Sequence, residues 1–399
     1  MRVCVVYDCL YPHTIGGAER WYRNVAARLA SEGHEVTYIT LRQWRRGESA
    51  DFDGVRVVSV GPRMHLYRHE RRRILPPLLF GLGVLRHLLR HGREYDVVYT
   101  ASFPYFSLLA AGAARGRGGY RLMVDWHEVW TRSYWQDYLG RRAGLVGWLV
   151  QAACLQVPQR AYCFSQLHAR RLRAEGLRGE ATVLPGEYAG ALGGYSRTAA
   201  EPVVVFAGRH APEKQVGALI EGVALARERM PELRCEIYGD GPERPQLLRQ
   251  IAAHGLGASI SAPGVVPREE LEAAMRRALC LVLPSRREGY GLVVIEAAAL
   301  GTPSIVAAGP DNAAVELIED GVNGLVASSA EPEELAASIM RVREAGHRLR
   351  ESTIEWFEQN ARRLSFDESL DVLSADFAGE QRPGDQSSAR SAAASLNAR

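Results

Sequence analysis

Short runs of consecutive apolar residues recur along the chain. Each is followed by a turn and then by a longer segment with apolar residues every three or four positions. Residues 2–8, 36–41, 55–60, 96–100, 121–124, 161–165 and 181–184 are runs of the first kind. Apolar almost throughout, they predict strands covered on both faces. Segments 18–32, with Trp21, Val25 and Leu29 on one face, 102–115, 144–158 and 168–175 predict the intervening helices, the third of them buried. Residues 185–200 are glycine-bearing and poor in apolar side chains, so they read as a linker. The alternation then restarts, with strands at 203–207, 233–238, 260–263, 278–283, 304–307 and 325–326. Helices are expected at 216–229, 243–254, 268–278, 292–300, from 314, and at 332–346, 356–363 and 366–377. Strand–helix alternation of this kind predicts two α/β domains, each a doubly wound parallel sheet. Their expected spans are 1–184 and 201–363, with a closing helix at 364–378 and a polar, Ser/Ala-rich tail at 379–399 that reads as disordered.

Composition changes this picture in three places. Residues 1–200 carry 28 basic side chains against 16 acidic, a balance of +12, and residues 201–399 carry 21 against 30, a balance of −9. A basic first domain and an acidic second one suggest different partners. Of the 49 basic residues 48 are Arg, and the one Lys is Lys214; a compact ammonium kept once in an arginine-rich chain points to a particular task. The most basic stretch, 63–93, has eight Arg against Glu70 alone, with Leu78, Leu82, Leu85 and Leu89 at helical spacing. Such a segment suits an anionic membrane surface or an anionic acceptor. No nucleic-acid-reading motif accompanies it. The six cysteines are scattered without metal-ligand spacing and read as reduced, buried thiols of a cytoplasmic protein. No signal peptide is expected, and the apolar runs 74–85 and 145–157 are too short to span a bilayer.

Candidate chemistry gathers at expected strand ends, where ligands bind in open α/β sheets. Residues 279–307 read LCLVLPSRREGYGLVVIEAAALGTPSIVA and hold Glu288 and Glu296 eight positions apart, with Gly289-Tyr290-Gly291 between. Glu288 falls in the loop after a strand and Glu296 on the following helix. Arg209 and Lys214 occupy the loop after the first strand of the second domain, where a guanidinium and an ammonium can clamp a diphosphate. Gly16-Gly17 opens the first helix and would let a phosphate reach its N–H groups, although the spacing is not G-x-G-x-x-G. His127 ends the strand 121–124 and faces the same crevice.

Four segments carry a family resemblance: GGAER at 16–20, AGRHAPEK at 207–214, YGDGPER at 238–244 and PSRREGYGLVVIEAAALGTPSIV at 284–306. Together they resemble the retaining glycosyltransferases of family 4, and the last matches that family's Glu-x7-Glu signature with its flanks. The resemblance implies the GT-B fold: two Rossmann-like domains facing across a cleft, the first holding the acceptor and the second the nucleotide-sugar, with the C-terminal helix returning to the first. It implies that Glu288 binds donor-sugar hydroxyls, Glu296 the ribose, and Arg209 and Lys214 the diphosphate. Gly16 and Gly17 would approach that diphosphate, Tyr290 and Gly291 would offer backbone N–H groups, Val266 would lie beside the base, and His127 would contact the sugar near the reacting carbon. No metal and no cofactor are implied beyond the donor itself. Where the family often has Pro-Asn-Gly-Val-Asp at the hinge, this chain has Pro185-Gly186-Glu187-Tyr188. The expected activity is hexosyl transfer from a UDP- or GDP-sugar, with retention, to a hydroxyl. That hydroxyl belongs either to a lipid-linked or anionic envelope acceptor at the inner membrane face or to a small metabolite. A non-catalytic nucleotide-sugar binder is the rival of another class.

Overall fold

The structure is a computed structural model and describes residues 1–378 apart from 15, 46, 69–70, 192 and 196–198. The segment 379–399, expected to be disordered, lies outside the described residues. The first half runs β1 (Arg2–Val6), α1 (Gly17–Ser31), β2 (Glu35–Leu41), β3 (Arg56–Gly61), a two-residue antiparallel pair β4 (Tyr67–Arg68) and β5 (Arg71–Arg72), α2 (Leu75–His91), β6 (Val97–Ala101), α3 (Tyr105–Gly118), β7 (Arg121–Asp125), α4 (Arg132–Leu139), α5 (Arg141–Leu155), β8 (Arg160–Cys163), α6 (Gln166–Ala174) and β9 (Ala181–Val183). The second half runs β10 (Val203–Ala207), α7 (Val216–Arg229), β11 (Arg234–Tyr238), α8 (Arg244–Ala253), β12 (Ile260–Gly264), α9 (Arg268–Arg277), β13 (Cys280–Leu283), β14 (Arg287–Glu288), α10 (Leu292–Ala299), β15 (Ser304–Ala307), β16 (Asp311–Asn312), β17 (Gly324–Ala327), α11 (Pro332–Ala345), α12 (His347–Asn360) and α13 (Phe366–Ala378).

Two sheets result, in the orders β3-β2-β1-β6-β7-β8-β9 and β12-β11-β10-β13-β15-β17. Their neighbouring strands pair in parallel. Val3 to Val6 and Val203 to Phe206 have no exposed surface, as strands covered by helices on both faces require. In each sheet the chain steps outward from the first strand and then returns to that strand's other side. β1 lies between β2 and β6, and β10 between β11 and β13. These are the points where a crevice opens at the strands' carboxyl ends. The loops after β1, β10 and β13 open there.

α13 packs back on the first sheet. Asp376 accepts from Tyr162 Oη at 2.8 Å and pairs with Arg160 at 3.2 Å. Phe366 meets Trp21 edge-on at 5.1 Å, and Phe377 is fully buried beside Tyr99. The linker is tied to the same segment, since the Tyr188 N–H donates to Leu364 O at 3.1 Å and the Gly186 N–H to Ser369 Oγ at 3.0 Å.

The leucine stripe of α2 points outward: Leu78, Leu82 and Leu89 are exposed, and Phe80, Val84 and Leu88 are buried. The small residues decide this. Gly81 lies against Phe106 of α3 and Gly83 against the Val60 carbonyl, contacts no side chain would allow, so the helix approaches on its glycine face. Three sequence expectations change. The helix expected as buried at 144–158 is α5, shifted to Arg141–Leu155 and exposing Val146 and Leu149, and α4 before it is an additional helix. α12 is one helix from His347, begun directly after Gly346 at φ +57°, rather than a short helix at 356. The helix expected from 314 is a single 3-10 turn, Ala313–Leu317.

Candidate active site

The loop after β13 is folded by its own polar groups. Asn312 donates from Nδ2 to the carbonyls of Ser285, at 2.9 Å, and Ala307, at 2.8 Å. β14 pairs with β16, with Glu288 opposite Asn312 and Arg287 opposite Asp311. This short pairing presents Glu288, whose Oε1 accepts from Ser285 Oγ at 2.8 Å and from Lys214 Nζ at 2.5 Å. Lys214 ends the 3-10 turn Pro212–Lys214, and Gln215 follows at φ +49°. A non-glycine residue there is strained, as often at a functional turn. Both members of the ion pair are largely enclosed, with side-chain exposures of 20% and 11%, so their attraction is less screened than on an open surface.

Gly291 starts α10 at φ +100°, and Ala314 fills the place a side chain would need. Tyr290 is buried against Phe164, with ring centres 6.1 Å apart. On α10, burial raises the Glu296 carboxyl above its ordinary range, while the charges of Arg268 and of Arg20 from α1 pull it back. Val266 is half-buried in the loop after β12, and Arg209 is exposed in the loop after β10.

Across the cleft, Gly16 is extended and caps α1 without a side-chain hydrogen bond, while the Cβ position of Gly17 meets open space. Glu19 folds back against Gly16, a carboxylate at the positive end of the helix. His127 stacks on Phe164 at 5.3 Å and meets Tyr22 edge-on. Burial, helped by His168, lowers it to about 4, so its ring is neutral at pH 7; its buried Nε2 has no hydrogen-bond partner among the described residues. The His127 carbonyl abuts Gly289, leaving no room for a side chain there. The structure thus joins Lys214 directly to Glu288 and brings His127 to the adjacent glycine. Glu296 and Val266 stand apart from that ion pair.

Three features escape sequence reasoning. Asp125 is fully buried and accepts from Trp21 Nε1 at 2.8 Å, from Tyr22 Oη at 3.1 Å and from Tyr99 Oη. Burial raises it to about 7 against those bonds. Glu187 of the linker is raised to about 8 by burial and by Asp125. Arg287 crosses the cleft, its guanidinium 4.5 Å from the Trp130 ring and 4.9 Å from Tyr134, with Glu128 and Glu213 each at 3.4 Å. Burial works against its charge, and Glu128, Tyr134 and Glu213 more than offset that. Third, α6 meets the second domain at Asp311 and Glu316. Only Asp125, at a strand end, carried a signal in the sequence; the others depend on partners distant in the chain. The Asp51-Phe52-Asp53 triplet has the spacing of a metal motif but forms a turn, where Asp51 accepts from the Val57 N–H at 2.6 Å and Asp53 pairs with Arg23 at 3.2 Å.

Two doubly wound parallel sheets, each opening its carboxyl-end loops on a common cleft, define the GT-B architecture. Comparison with known proteins identifies the family. The model of "Glycosyltransferase Family 4" matches residues 15–186, and that of "Glycosyl transferases group 1" matches residues 196–362. A D-inositol 3-phosphate glycosyltransferase from a Nocardioides species is 30% identical over 366 residues, 82% of this chain and 77% of that protein. The chain belongs to glycosyltransferase family 4. The match to the alpha-D-kanosaminyltransferase of Streptomyces kanamyceticus is 34% identical but spans only about a third of each protein, 35% of this chain and 36% of the relative. Among solved structures, Anabaena Alr3699/HepE in complex with UDP and glucose superposes with a TM-score of 0.71 at 17% identity, covering 95% of this chain and 99% of that one. At that identity the likeness concerns the fold.

Proposed function

We propose that the chain is a retaining, metal-independent hexosyltransferase that moves a sugar from a UDP- or GDP-sugar to a hydroxyl acceptor of cell-envelope glycan or glycolipid synthesis. The observation that carries this reading is the Lys214–Glu288 pair at 2.5 Å, which joins the chain's one lysine to the first glutamate of the signature. With donor absent, the ammonium neutralises Glu288. With donor present, Lys214 and Arg209 turn to the diphosphate, and the freed Glu288 accepts from sugar hydroxyls. The α1 N-terminus at Gly16-Gly17 takes the phosphate from the other side, displacing Glu19. Glu296 binds the ribose, Val266 lies along the base, and the N–H groups of Tyr290 and Gly291 face the donor. Neutral His127 offers its Nε2 to a sugar hydroxyl. In the transfer step the acceptor oxygen bonds to the anomeric carbon on the face from which the diphosphate departs. The carbon–phosphate-oxygen bond breaks, and the leaving phosphate takes the acceptor proton. Glu288 Oε1, held by two donors, suits hydroxyl binding better than nucleophilic attack. No metal or cofactor is needed beyond the donor, because Lys214, Arg209 and the helix N-terminus supply the positive field.

The outward face of α2 favours an acceptor at a membrane. Ile74, Leu75, Leu78, Leu82 and Leu89 are exposed beside Arg86, Arg90 and Arg93, and α2 contains no acidic residue. Such a face fits the anionic cytoplasmic leaflet. Among the described residues, no helix is long and apolar enough to cross a membrane. The name of the D-inositol 3-phosphate glycosyltransferase favours a second acceptor class, a small phosphorylated polyol.

A thermal-shift screen against UDP-, GDP- and ADP-sugars tests the donor, since binding raises the melting temperature by mass action. NMR of the product with the matching donor then reads the anomeric configuration. The same α configuration in product and α-linked donor, in the presence of EDTA, is expected. Inversion or a strict divalent requirement overturns the mechanism. A shift without product, with lipid extracts and with inositol phosphate alike, marks a binding protein instead.

A further inference from the structure

The two-residue strand that presents Glu288 is gripped by the opposite domain. On α6, Arg171 donates from Nη2 to Asp311 Oδ1 at 2.5 Å and to Pro310 O at 2.7 Å, and from Nη1 to Val129 O at 3.1 Å. One guanidinium thus bridges the loop of His127 to β16, the pairing partner of β14. The arginine and the aspartate keep 14% and 15% exposure. The N–H groups of Gln166 and Leu167, which open α6, each donate to Glu316 at 2.7 Å, so a carboxylate of the second domain caps a helix of the first. On the other flank Arg287, next to Glu288, lies over Trp130 and pairs with Glu128. The main chain of Gly289 rests on the His127 carbonyl.

We propose that Arg171 is a positioning residue: by holding Asp311 it sets β16 and, through the Glu288–Asn312 register, the carboxylate of Glu288, so that the donor's sugar is gripped correctly only when α6 is docked on residues 310–316. This rests on the transferase reading for its consequence, though the coupling is a property of the fold. Arg171 touches neither Lys214 nor Glu288. Its influence passes through Asp311 and the main-chain pairing of β14 with β16. A planar fork that meets three acceptors is not replaced by an ammonium. On the proposed reading the base, the ribose and the Lys214 and Arg209 contacts to the diphosphate all lie in the second domain, so nucleotide affinity should depend little on the clasp.

The test uses the full chain with Arg171→Met, Arg171→Lys and the isosteric Asp311→Asn. Arg171→Met is expected to lower kcat about tenfold to a hundredfold, the scale of a small misplacement of a reacting group, with the Kd for the nucleoside diphosphate changed less than about twofold. Arg171→Lys should recover little. The double variant Arg171→Met/Asp311→Asn should lose no more than the worse single, because neighbours sharing one interaction are non-additive. Hydrogen exchange of residues 285–290 should quicken in each single variant and no further in the double. Unchanged kcat, fully additive losses, or unaltered exchange of 285–290 each overturn the proposal. If Arg171→Met does not fold, Asp311→Asn alone carries the same readouts. If the wild-type chain transfers no sugar, the transferase reading fails while the exchange measurement still decides the coupling.

Discussion

Lys214 and Glu288 hold each other at 2.5 Å, and each would exchange that contact for part of the donor. Lys214→Ala should therefore cost turnover by about 2.7–4 kcal/mol, or roughly a hundredfold to a thousandfold, the worth of a donor aimed at developing charge. Steady-state kinetics with the matched donor measure it, and near-normal kcat would remove the phosphate role. Lys214→Arg should restore little, since the guanidinium is broader and the site is built around a point charge. Asp125 makes a different prediction. An aspartate in an unfolded chain titrates near about 4, whereas burial puts folded Asp125 at about 7. The folded state keeps the proton longer, so the contribution of Asp125 to stability is fully present below pH about 4 and is lost as pH rises through 7. Asp125→Asn keeps an acceptor for Trp21, Tyr22 and Tyr99 but cannot ionise. Its melting temperature should gain on the wild type across that window, helped by relief of the Glu187 carboxyl. A pH-independent difference between the two proteins would contradict this.

At the level of elements, α2 is oriented by its glycines. The close approach that Gly81 and Gly83 allow turns Phe80, Val84 and Leu88 inward and leaves Leu78, Leu82 and Leu89 of the leucine stripe outside. The exposed leucines are left facing outward. Leu78→Ser with Leu82→Ser should leave the melting temperature almost unchanged, because surface substitutions act within about 0.5 kcal/mol. The same pair should sharply reduce sedimentation with anionic liposomes at low salt. Equal liposome recovery of variant and wild type would remove the membrane reading.

For the whole molecule, α13 makes the last residues of the second half part of the first domain's core. Phe377 has no exposed surface and lies 5.9 Å from the Tyr99 ring, next to the Asp125 network. Phe377→Ala should cost about 3–5 kcal/mol, as other buried phenylalanines do, read by denaturant unfolding with tryptophan fluorescence. The first domain should carry the loss, and the nucleotide-induced shift should survive. Loss of less than about 1 kcal/mol would mean that α13 docks without being structurally required.

The amino-acid pattern alone determined the strand–helix alternation, the two sheets and the loop positions of Glu288, Lys214, Arg209 and Gly16-Gly17. Those features are local: a run of valines or a glycine turn needs only its neighbours in the chain. The pattern also sufficed for the family, because its signature is contiguous. Helix boundaries were less legible, as α4, α5 and α12 show, since packing against distant elements selects them. Only the tertiary structure decided which side chains meet. Lys214 to Glu288 spans 74 positions, and Arg171 to Asp311 spans 140. The first pair is set by the second sheet placing β10 beside β13, the second by two domains closing on one another, and no local periodicity records either. The same is true of the carboxyls of Asp125 and Glu187, which the fold buries and so keeps protonated far above the ordinary carboxylate range.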